Sequence, residues 1–193
     1  MRGRCKYLTL FLLLILTLTI SLQIPNLKAG SVRAFVSKSK SGVDSINDFN
    51  FERSRSASGG FTIYQTKSSG GALNVHACSH VSFEVSPWSS GSRCDVYVDY
   101  RYEIKCTITV YKKSGGSWNY YKKWSISKSG SGSKSWKNLY DKSTGFTPYS
   151  FQPRVSSGGE YKIVVSVSKV YIWMRFRADV KSGKFTILSL IHI

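Results

Sequence analysis

Residues 94–111, CDVYVDYRYEIKCTITVY, alternate between apolar and polar side chains over their whole length. The even positions carry Cys, Val, Tyr and Ile, and the odd positions are mostly charged residues or Thr. Successive side chains of a β-strand point to opposite faces of a sheet, so this pattern is typical of an antiparallel strand with one buried face. An unbroken strand of this length would exceed about 50 Å, and we therefore expect a bend or break near residues 99–101.

Shorter alternating segments surround this strand and are separated by turns rich in Gly and Ser. They predict strands over residues 61–66, 73–85, 117–126, 134–140 and 160–180, with turns that include residues 114–116 and 130–132. Because a one-residue slip exchanges the faces of a strand, the change of apolar parity after Val167 predicts either a β-bulge or a crossing between sheets near Ser168 and Lys169. The fold class predicted is an all-β antiparallel β-sandwich, with an open β-barrel as the alternative.

Residues 1–29 have the features of a secretory signal peptide. A basic segment at residues 2–6 precedes an apolar run over residues 8–22, and Ala29 offers a small residue for cleavage. The apolar run is shorter than the roughly 20 residues that a membrane span needs. We therefore predict a cleaved leader, a secreted protein that is extracellular or attached to the cell surface, and no transmembrane segment after cleavage.

The remaining chain divides into three parts by composition. Residues 30–60 are rich in Ser, Lys and Arg with few aliphatic side chains, which predicts a flexible basic arm. Residues 61–187 contain the alternating segments and are predicted to form the β-sandwich domain. The last six residues, LSLIHI at 188–193, are identical to the translated end of a transposon used in preparing sequencing libraries.

We expect that residues 188–193 derive from that reagent and that native C-terminal residues are missing. The alternative is a genuine last β-strand, because Phe185, Thr186, Ile187 and Leu188 suit one. The nucleotide sequence beyond this point distinguishes the two, since continued coding sequence without the transposon end would exclude the reagent.

Three segments carry a resemblance to other proteins. Residues 108–113 (ITVYKK), 114–118 (SGGSW) and 159–165 (GEYKIVV) resemble a loose class of small, uncharacterised secreted β-sandwich proteins of Gram-positive bacteria. That class has a strand, a Gly-Trp hairpin and a late Gly-x-Tyr-Lys strand. The resemblance implies export and a β-sandwich, and it implies no activity and no site residues.

Three cysteines remain after leader removal: Cys78, Cys94 and Cys106. Export to an oxidising compartment makes one disulfide plausible among three formal pairings. Cys78 is on the polar face of its predicted strand, whereas Cys106 is on the apolar face of residues 94–111. A hairpin between residues 73–85 and 94–111 could bring the two together if a β-bulge turned Cys78 to the same face as Cys106, and this is the preferred pair. The alternative is three free thiols, two of them packed as small apolar groups.

The sequence offers little for catalysis or metal binding. His76, Cys78 and His80 share one face of a predicted strand, but the two imidazoles would lie about 13 Å apart and could not share one Zn²⁺. No Gly-x-Ser-x-Gly, His-Glu-x-x-His or phosphate-binding Gly-Lys loop occurs in the chain. We predict no enzymatic activity, no catalytic residue, no metal site and no cofactor.

Charge is the strongest functional feature of the sequence. The chain has 28 Lys and Arg against 10 Asp and Glu, a formal net charge of +18. Between residues 105 and 142 the only acidic residue is Asp141, and aromatic side chains are interleaved with the lysines. A cationic field attracts polyanions with little selectivity, and aromatic rings can stack on bases or sugars. The predicted polyanion-binding residues are Lys112, Lys113, Tyr121, Lys122, Lys123, Lys128, Lys134 and Lys137.

Strand parity separates core from surface within this segment. Trp118 and Trp124 share the parity of Ile126 and are predicted to belong to the core, whereas Tyr121 and Lys123 have the opposite parity and are predicted to face solvent.

These features predict a secreted, strongly basic, non-catalytic β-sandwich protein. We expect it to associate with anionic polymers of the cell envelope or extracellular matrix, without specificity for nucleic acid. One alternative is a cationic bacteriocin-like or toxin-like protein that acts on membranes, and another is a carbohydrate-binding module. The sequence contains no amphipathic cationic helix, which favours the first of these functions over membrane attack.

Overall fold

A computed structural model describes residues 30–193, and the predicted signal peptide lies outside these residues. Every regular element in this range is a β-strand, and no helix of the described part could cross a membrane. The strands are β1 (Phe35–Val43), β2 (Asn50–Lys67), β3 (Gly71–Ala72), β4 (Ala77–Pro87), β5 (Arg93–Ser114), β6 (Ser117–Leu139), β7 (Lys142–Phe151), β8 (Arg154–Val155), β9 (Gly159–Ser182) and β10 (Phe185–His192).

Two four-stranded antiparallel sheets form the fold. The first sheet has the strand order β1, β10, β4, β7, and the second has the order β2, β9, β5, β6. The short strands β3 and β8 pair with each other. The sheets do not close into a barrel, so the predicted antiparallel β-sandwich is confirmed.

The β-bulge predicted near Ser168 is present in β9. Lys105 pairs with Lys169 while the next residue of β5, Cys106, pairs with Val167, so Ser168 is the extra residue. The Ser168 hydroxyl donates a hydrogen bond to the Lys105 carbonyl oxygen at 3.0 Å. The inward side chains of β9 therefore change from odd to even positions at this point, as the apolar parity indicated.

Two local predictions about strand breaks are wrong. β5 runs without interruption through residues 99–101, because β9 and β6 pair with it on both sides. The Gly-rich segment 130–132 continues β6 instead of forming a turn. Gly130 and Gly132 lie opposite Tyr102 and Tyr100. A Cβ on Gly130 would come within 2.8 Å of the Tyr102 ring, and one on Gly132 within 2.7 Å of the Tyr100 hydroxyl oxygen. The glycines thus make room for two tyrosine rings on the inner face.

Residues 30–60 are part of the sandwich and not a flexible arm. They contain β1 and the first half of β2, and Phe49 between these strands is fully buried. The Phe49 ring packs edge-on against Phe176 of β9, with the ring centroids 5.2 Å apart. The prediction that the β-sandwich domain begins at residue 61 is therefore wrong, because β1 and the first half of β2 also belong to it. The composition of residues 30–60 suggested an arm because β1 and β2 are edge strands. In such strands the exposed polar positions outnumber the few buried apolar ones.

Residues 188–192 also lie within the first sheet. They complete β10, which is hydrogen-bonded to β1 on one side and to β4 on the other. Ile187, Ser189 and Ile191 are fully buried, so the upper boundary expected at residue 187 is corrected as well. The origin of this hexapeptide from a sequencing reagent stays a prediction about the nucleotide sequence.

The second sheet extends beyond the first toward the β5–β6 hairpin. The inner face of this extension is covered by β3, β8 and the segments beside them, which bury Leu73 and Val155. The fully buried Tyr161 anchors this cover by donating a hydrogen bond to the Ser157 carbonyl oxygen at 2.7 Å. The outer face of the same extension has no sheet packed on it among residues 30–193.

Candidate functional site

The predicted basic residues do not form one patch, because β6 places them on both of its faces. Lys122, Lys128 and Lys134 pair with Val110, Ile104 and Val98, whose side chains point inward, so these lysines line the margin of the inner face. Lys123 and Lys137 lie on the outer face. Lys112 and Lys113 lie near the β5–β6 turn.

Two of the predicted residues form hydrogen bonds with the segment that precedes β9. The Lys112 ammonium donates to the Ser157 hydroxyl at 2.8 Å. The Tyr121 hydroxyl shares a hydrogen bond with the Ser156 hydroxyl at 2.8 Å and accepts one from the Ser156 amide at 3.0 Å, and these bonds lower the pKa of Tyr121. Both side chains thus hold the segment before β9, and Tyr121 does not face solvent freely as predicted.

Lys137 is bound to a buried carboxylate. Its ammonium donates to Asp95 at 3.0 Å, and the Asn138 amide donates to the other Asp95 oxygen at 3.0 Å. Burial alone would raise the pKa of Asp95, but these donors and the nearby Lys181 outweigh it and keep the pKa below the ordinary value. The charge of Lys137 is therefore largely compensated within the fold.

Seven side chains on the outer face, next to the β5–β6 turn, form what we call the hairpin-end surface: Tyr64, Tyr111, Lys113, Trp118, Tyr120, Lys123 and Lys162. Direct strand pairing places them on one face, since Lys162 of β9 lies between Tyr64 of β2 and Tyr111 of β5. Tyr111 pairs with Tyr120, and Lys113 pairs with Trp118. Tyr64 and Tyr120 are 50% and 65% exposed, which leaves their rings available to a ligand.

The rings and ammonium groups of this surface contact one another. Tyr64 and Trp118 have ring centroids 5.6 Å apart, and Tyr111 and Tyr120 meet edge-on at 6.3 Å. The Lys113 ammonium lies 5.9 Å from the Trp118 ring centroid, and that of Lys162 lies 5.8 Å from the Tyr111 centroid. Such cation–π contacts hold the ammonium groups above the rings while they remain open to solvent.

Most carboxylates of the outer face lie farther from the β5–β6 turn. There Glu52 pairs with Arg175 at 2.9 Å and Glu103 pairs with Lys105 at 2.6 Å, in addition to the Asp95 contact with Lys137. Glu160 is the carboxylate that contacts the hairpin-end surface among residues 30–193, and its Oε2 lies 2.8 Å from the Lys113 ammonium. Lys123 and Lys162 form no ion pair with any residue of the range 30–193. Uncompensated positive charge therefore remains at the hairpin end.

Sequence reasoning missed part of this surface. Tyr64 and Lys162 lie far from the Lys-rich segment in sequence, and only the pairing of β2 and β5 with β9 brings them to it. Tyr111 was identifiable by its parity, because it occupies the polar face of residues 94–111. Trp118 is on the outer face and not in the core as predicted, because a register shift beyond Val110 changes the parity of β6. Trp124 packs against the core as expected.

The cysteines do not form the predicted disulfide: Cys78, Cys94 and Cys106 are free thiols. Cys78 lies near the start of β4 in the first sheet, and Cys106 lies in β5 of the second sheet. The two strands are not neighbours, because β4 pairs with β10 and β7. Burial raises the pKa of Cys106, and burial together with the adjacent Asp95 raises the pKa of Cys94 to about 12.

We expect Cys78 to react first with iodoacetamide in the folded protein. Cys78 is half-buried, whereas Cys94 is fully buried and Cys106 is 8% exposed. The raised pKa values of Cys94 and Cys106 further reduce the thiolate fraction of these two residues at pH 8. Peptide mass spectrometry of the native protein should show label on Cys78 at least about ten times faster than on Cys94. Label on Cys78 and Cys106 only after reduction would instead indicate a disulfide between them.

The His-Cys-His segment at residues 76–80 leads into β4. His80 contacts the Thr147 hydroxyl at 3.1 Å across the pairing of β4 with β7. In the described part of the chain no three His, Cys, Asp or Glu side chains are placed to hold one metal ion.

Comparison with known proteins adds no family. No family model matches the chain, and no curated protein matches it. Two solved structures align with it, one of the T13 IBDV viral particle and one of the infectious bursal disease virus Gt strain, with TM-scores of 0.18 and 0.16. Both are 9% identical over 88% of this chain and 42% of the viral chain, so this chain spans about two fifths of their length. Scores this low establish no common fold.

Proposed function

We propose that this protein is a secreted, non-catalytic β-sandwich that associates with anionic polymers of the cell envelope or extracellular matrix. The hairpin-end surface is the proposed contact. The observation that carries the proposal is the combination of unpaired ammonium groups, on Lys123 and Lys162, with the exposed rings of Tyr64 and Tyr120 on one face.

The mixture of rings and cations favours a polymer that carries both saccharide and acidic groups. Ammonium groups attract phosphate, sulfate or carboxylate, and this attraction is screened by salt. Aromatic rings offer flat apolar platforms on which a sugar or base can stack. A sulfated or phosphorylated glycan would use both kinds of group, whereas a bare polyphosphate would use only the cations.

The test is a triple variant that removes three positive charges from the hairpin-end surface, Lys113→Gln with Lys123→Gln and Lys162→Gln. Binding to heparin and to wall teichoic acid should weaken about 10- to 100-fold at 0.1 M NaCl, since each lost ammonium contact is worth roughly 0.5 to 1 kcal/mol. The matched control is Lys40→Gln with Lys169→Gln and Lys184→Gln, which removes the same charge from lysines that lie outside the hairpin-end surface. The control should bind within about threefold of the parent.

Two outcomes would contradict the proposal. Equal weakening in both triple variants would show that only net charge matters, and retention on heparin that persists in about 1 M NaCl would exclude the electrostatic mechanism. Vesicles of anionic lipid loaded with dye form a further arm, because leakage would indicate membrane attack instead. A Tyr64→Ala, Tyr120→Ala variant should weaken binding to the glycan more than binding to polyphosphate.

A further inference from the structure

A cavity of about 370 Å³ lies between the two sheets, where β4 begins and β10 ends. Its wall consists of buried aliphatic side chains from the inner face of the second sheet: Ile104, Ile108, Val165, Val167 and Val170. Ligand pockets usually enclose roughly 300 to 1,000 Å³ and are mostly apolar. An engineered apolar cavity of roughly 150 Å³ already binds benzene, so this cavity has room for a larger apolar group.

The rim of the cavity is polar and positively charged. Ser31, Arg33, Asn74 and His76 line the cavity and are exposed, which places them at its mouth. Arg33 is the permanently charged group of the lining, and none of the described lining residues is Asp or Glu. Arg33 forms no ion pair with any residue between 30 and 193.

A half-buried histidine of the lining lies in the same environment. His192 lines the cavity, and burial together with the charges of His80 and Arg33 lowers its pKa. His192 is therefore a neutral hydrogen-bonding group at pH 7, and the Arg33 guanidinium supplies the positive charge. An occupant that is apolar at one end and anionic at the other would match both the wall and the rim.

We propose that this cavity binds a small amphiphile with an alkyl tail and an anionic head, of the chemical class of medium-chain carboxylates. The tail occupies the aliphatic interior, and the head stays at the mouth beside the guanidinium of Arg33. This site is independent of the hairpin-end surface, because it opens from the inner side of the second sheet and shares no residue with that surface.

Isothermal titration calorimetry with dodecanoate, dodecanol and butyrate tests the proposal. Dodecanoate should bind saturably with one molecule per protein. Butyrate should bind more than 100-fold more weakly, since each buried methylene contributes roughly 0.8 kcal/mol. Dodecanol should bind about tenfold more weakly than dodecanoate, because it lacks the charge-assisted contact with Arg33.

Variants locate the binding. Arg33→Gln should weaken dodecanoate binding about tenfold and leave dodecanol binding unchanged. Arg53→Gln is the matched control, because Arg53 has the same charge but does not line the cavity, and it should change neither affinity. Ala77→Phe adds a ring beside the cavity wall and should abolish dodecanoate binding while leaving heparin retention intact.

Crystals soaked with 12-bromododecanoate give a readout that does not depend on the variants. Anomalous density for bromine among Ile104, Ile108 and Val165 supports the proposal even if Ala77→Phe fails to fold. Binding of several dodecanoate molecules with equal loss in Arg33→Gln and Arg53→Gln would overturn it. Bromine found only on the outer surface would also overturn it.

Discussion

Deletion of residues 188–193 is expected to prevent stable folding at 25 °C. It removes Ile191 and Ile193 from the core and leaves β1 and most of β4 without their common neighbour. Truncating one buried isoleucine costs about 2 to 5 kcal/mol, and a domain is stable by only about 5 to 15 kcal/mol in total. The loss of two such side chains together with the ladder hydrogen bonds exceeds that margin.

Circular dichroism and urea unfolding of the deleted protein are the measurements. The parent should show a cooperative transition and the deleted protein none. Leu188→Ser is the matched control in the same strand, because Leu188 is 47% exposed, and its stability should change by less than about 0.5 kcal/mol. A deleted protein that unfolds at the parent's urea midpoint would refute the placement of β10 in the first sheet.

Phe49→Ala is expected to destabilise the protein by about 3 to 5 kcal/mol. The Phe49 ring is fully buried and lies edge-on to Phe176 and Phe51, at 5.2 Å and 5.8 Å between centroids. Its removal leaves a cavity beside Phe51 and Phe176 that the sandwich cannot close without moving strands. For a domain of this size the midpoint of thermal unfolding should fall by about 6 to 20 °C.

Phe35→Ala provides the comparison within the same stretch of sequence. Phe35 is 59% exposed, so its truncation should change the midpoint by less than about 2 °C. If Phe49→Ala were equally mild, residues 30–60 would be the loosely attached arm that their composition suggested. Limited proteolysis gives a second measure, since a true arm would be cleaved while the rest of the protein stays folded.

The fold class followed from local pattern, but the assignment of strands to sheets did not. The alternation in residues 94–111 and the parity change at Ser168 are properties of single strands, and both were predictable because side chains alternate with a period of two. The pairing of β10 between β1 and β4 joins residues far apart in sequence. No local pattern specifies such a pairing, because every strand presents the same backbone donors and acceptors.

The candidate sites show the same division. The Lys-rich segment was evident from composition, but the lysines of β6 lie on both of its faces. Lys112 and Lys137 are hydrogen-bonded to Ser157 and Asp95, which are remote from them in sequence. The register shift next to Val110 decides that Trp118 lies outside and Trp124 inside. The cavity was not predictable, because its lining comes from several strands of both sheets and from the segments that precede β1 and β4.

The amino-acid sequence by itself determined that this chain forms strongly basic antiparallel strands, because alternation and charge are read from neighbouring residues. Tertiary structure alone decided which strands adjoin, which lysines keep an uncompensated charge, and where aliphatic side chains enclose a cavity. The physical reason is that burial and electrostatic compensation depend on distances between residues remote in sequence, such as Tyr64 and Trp118. Those distances exist only once the two sheets have formed.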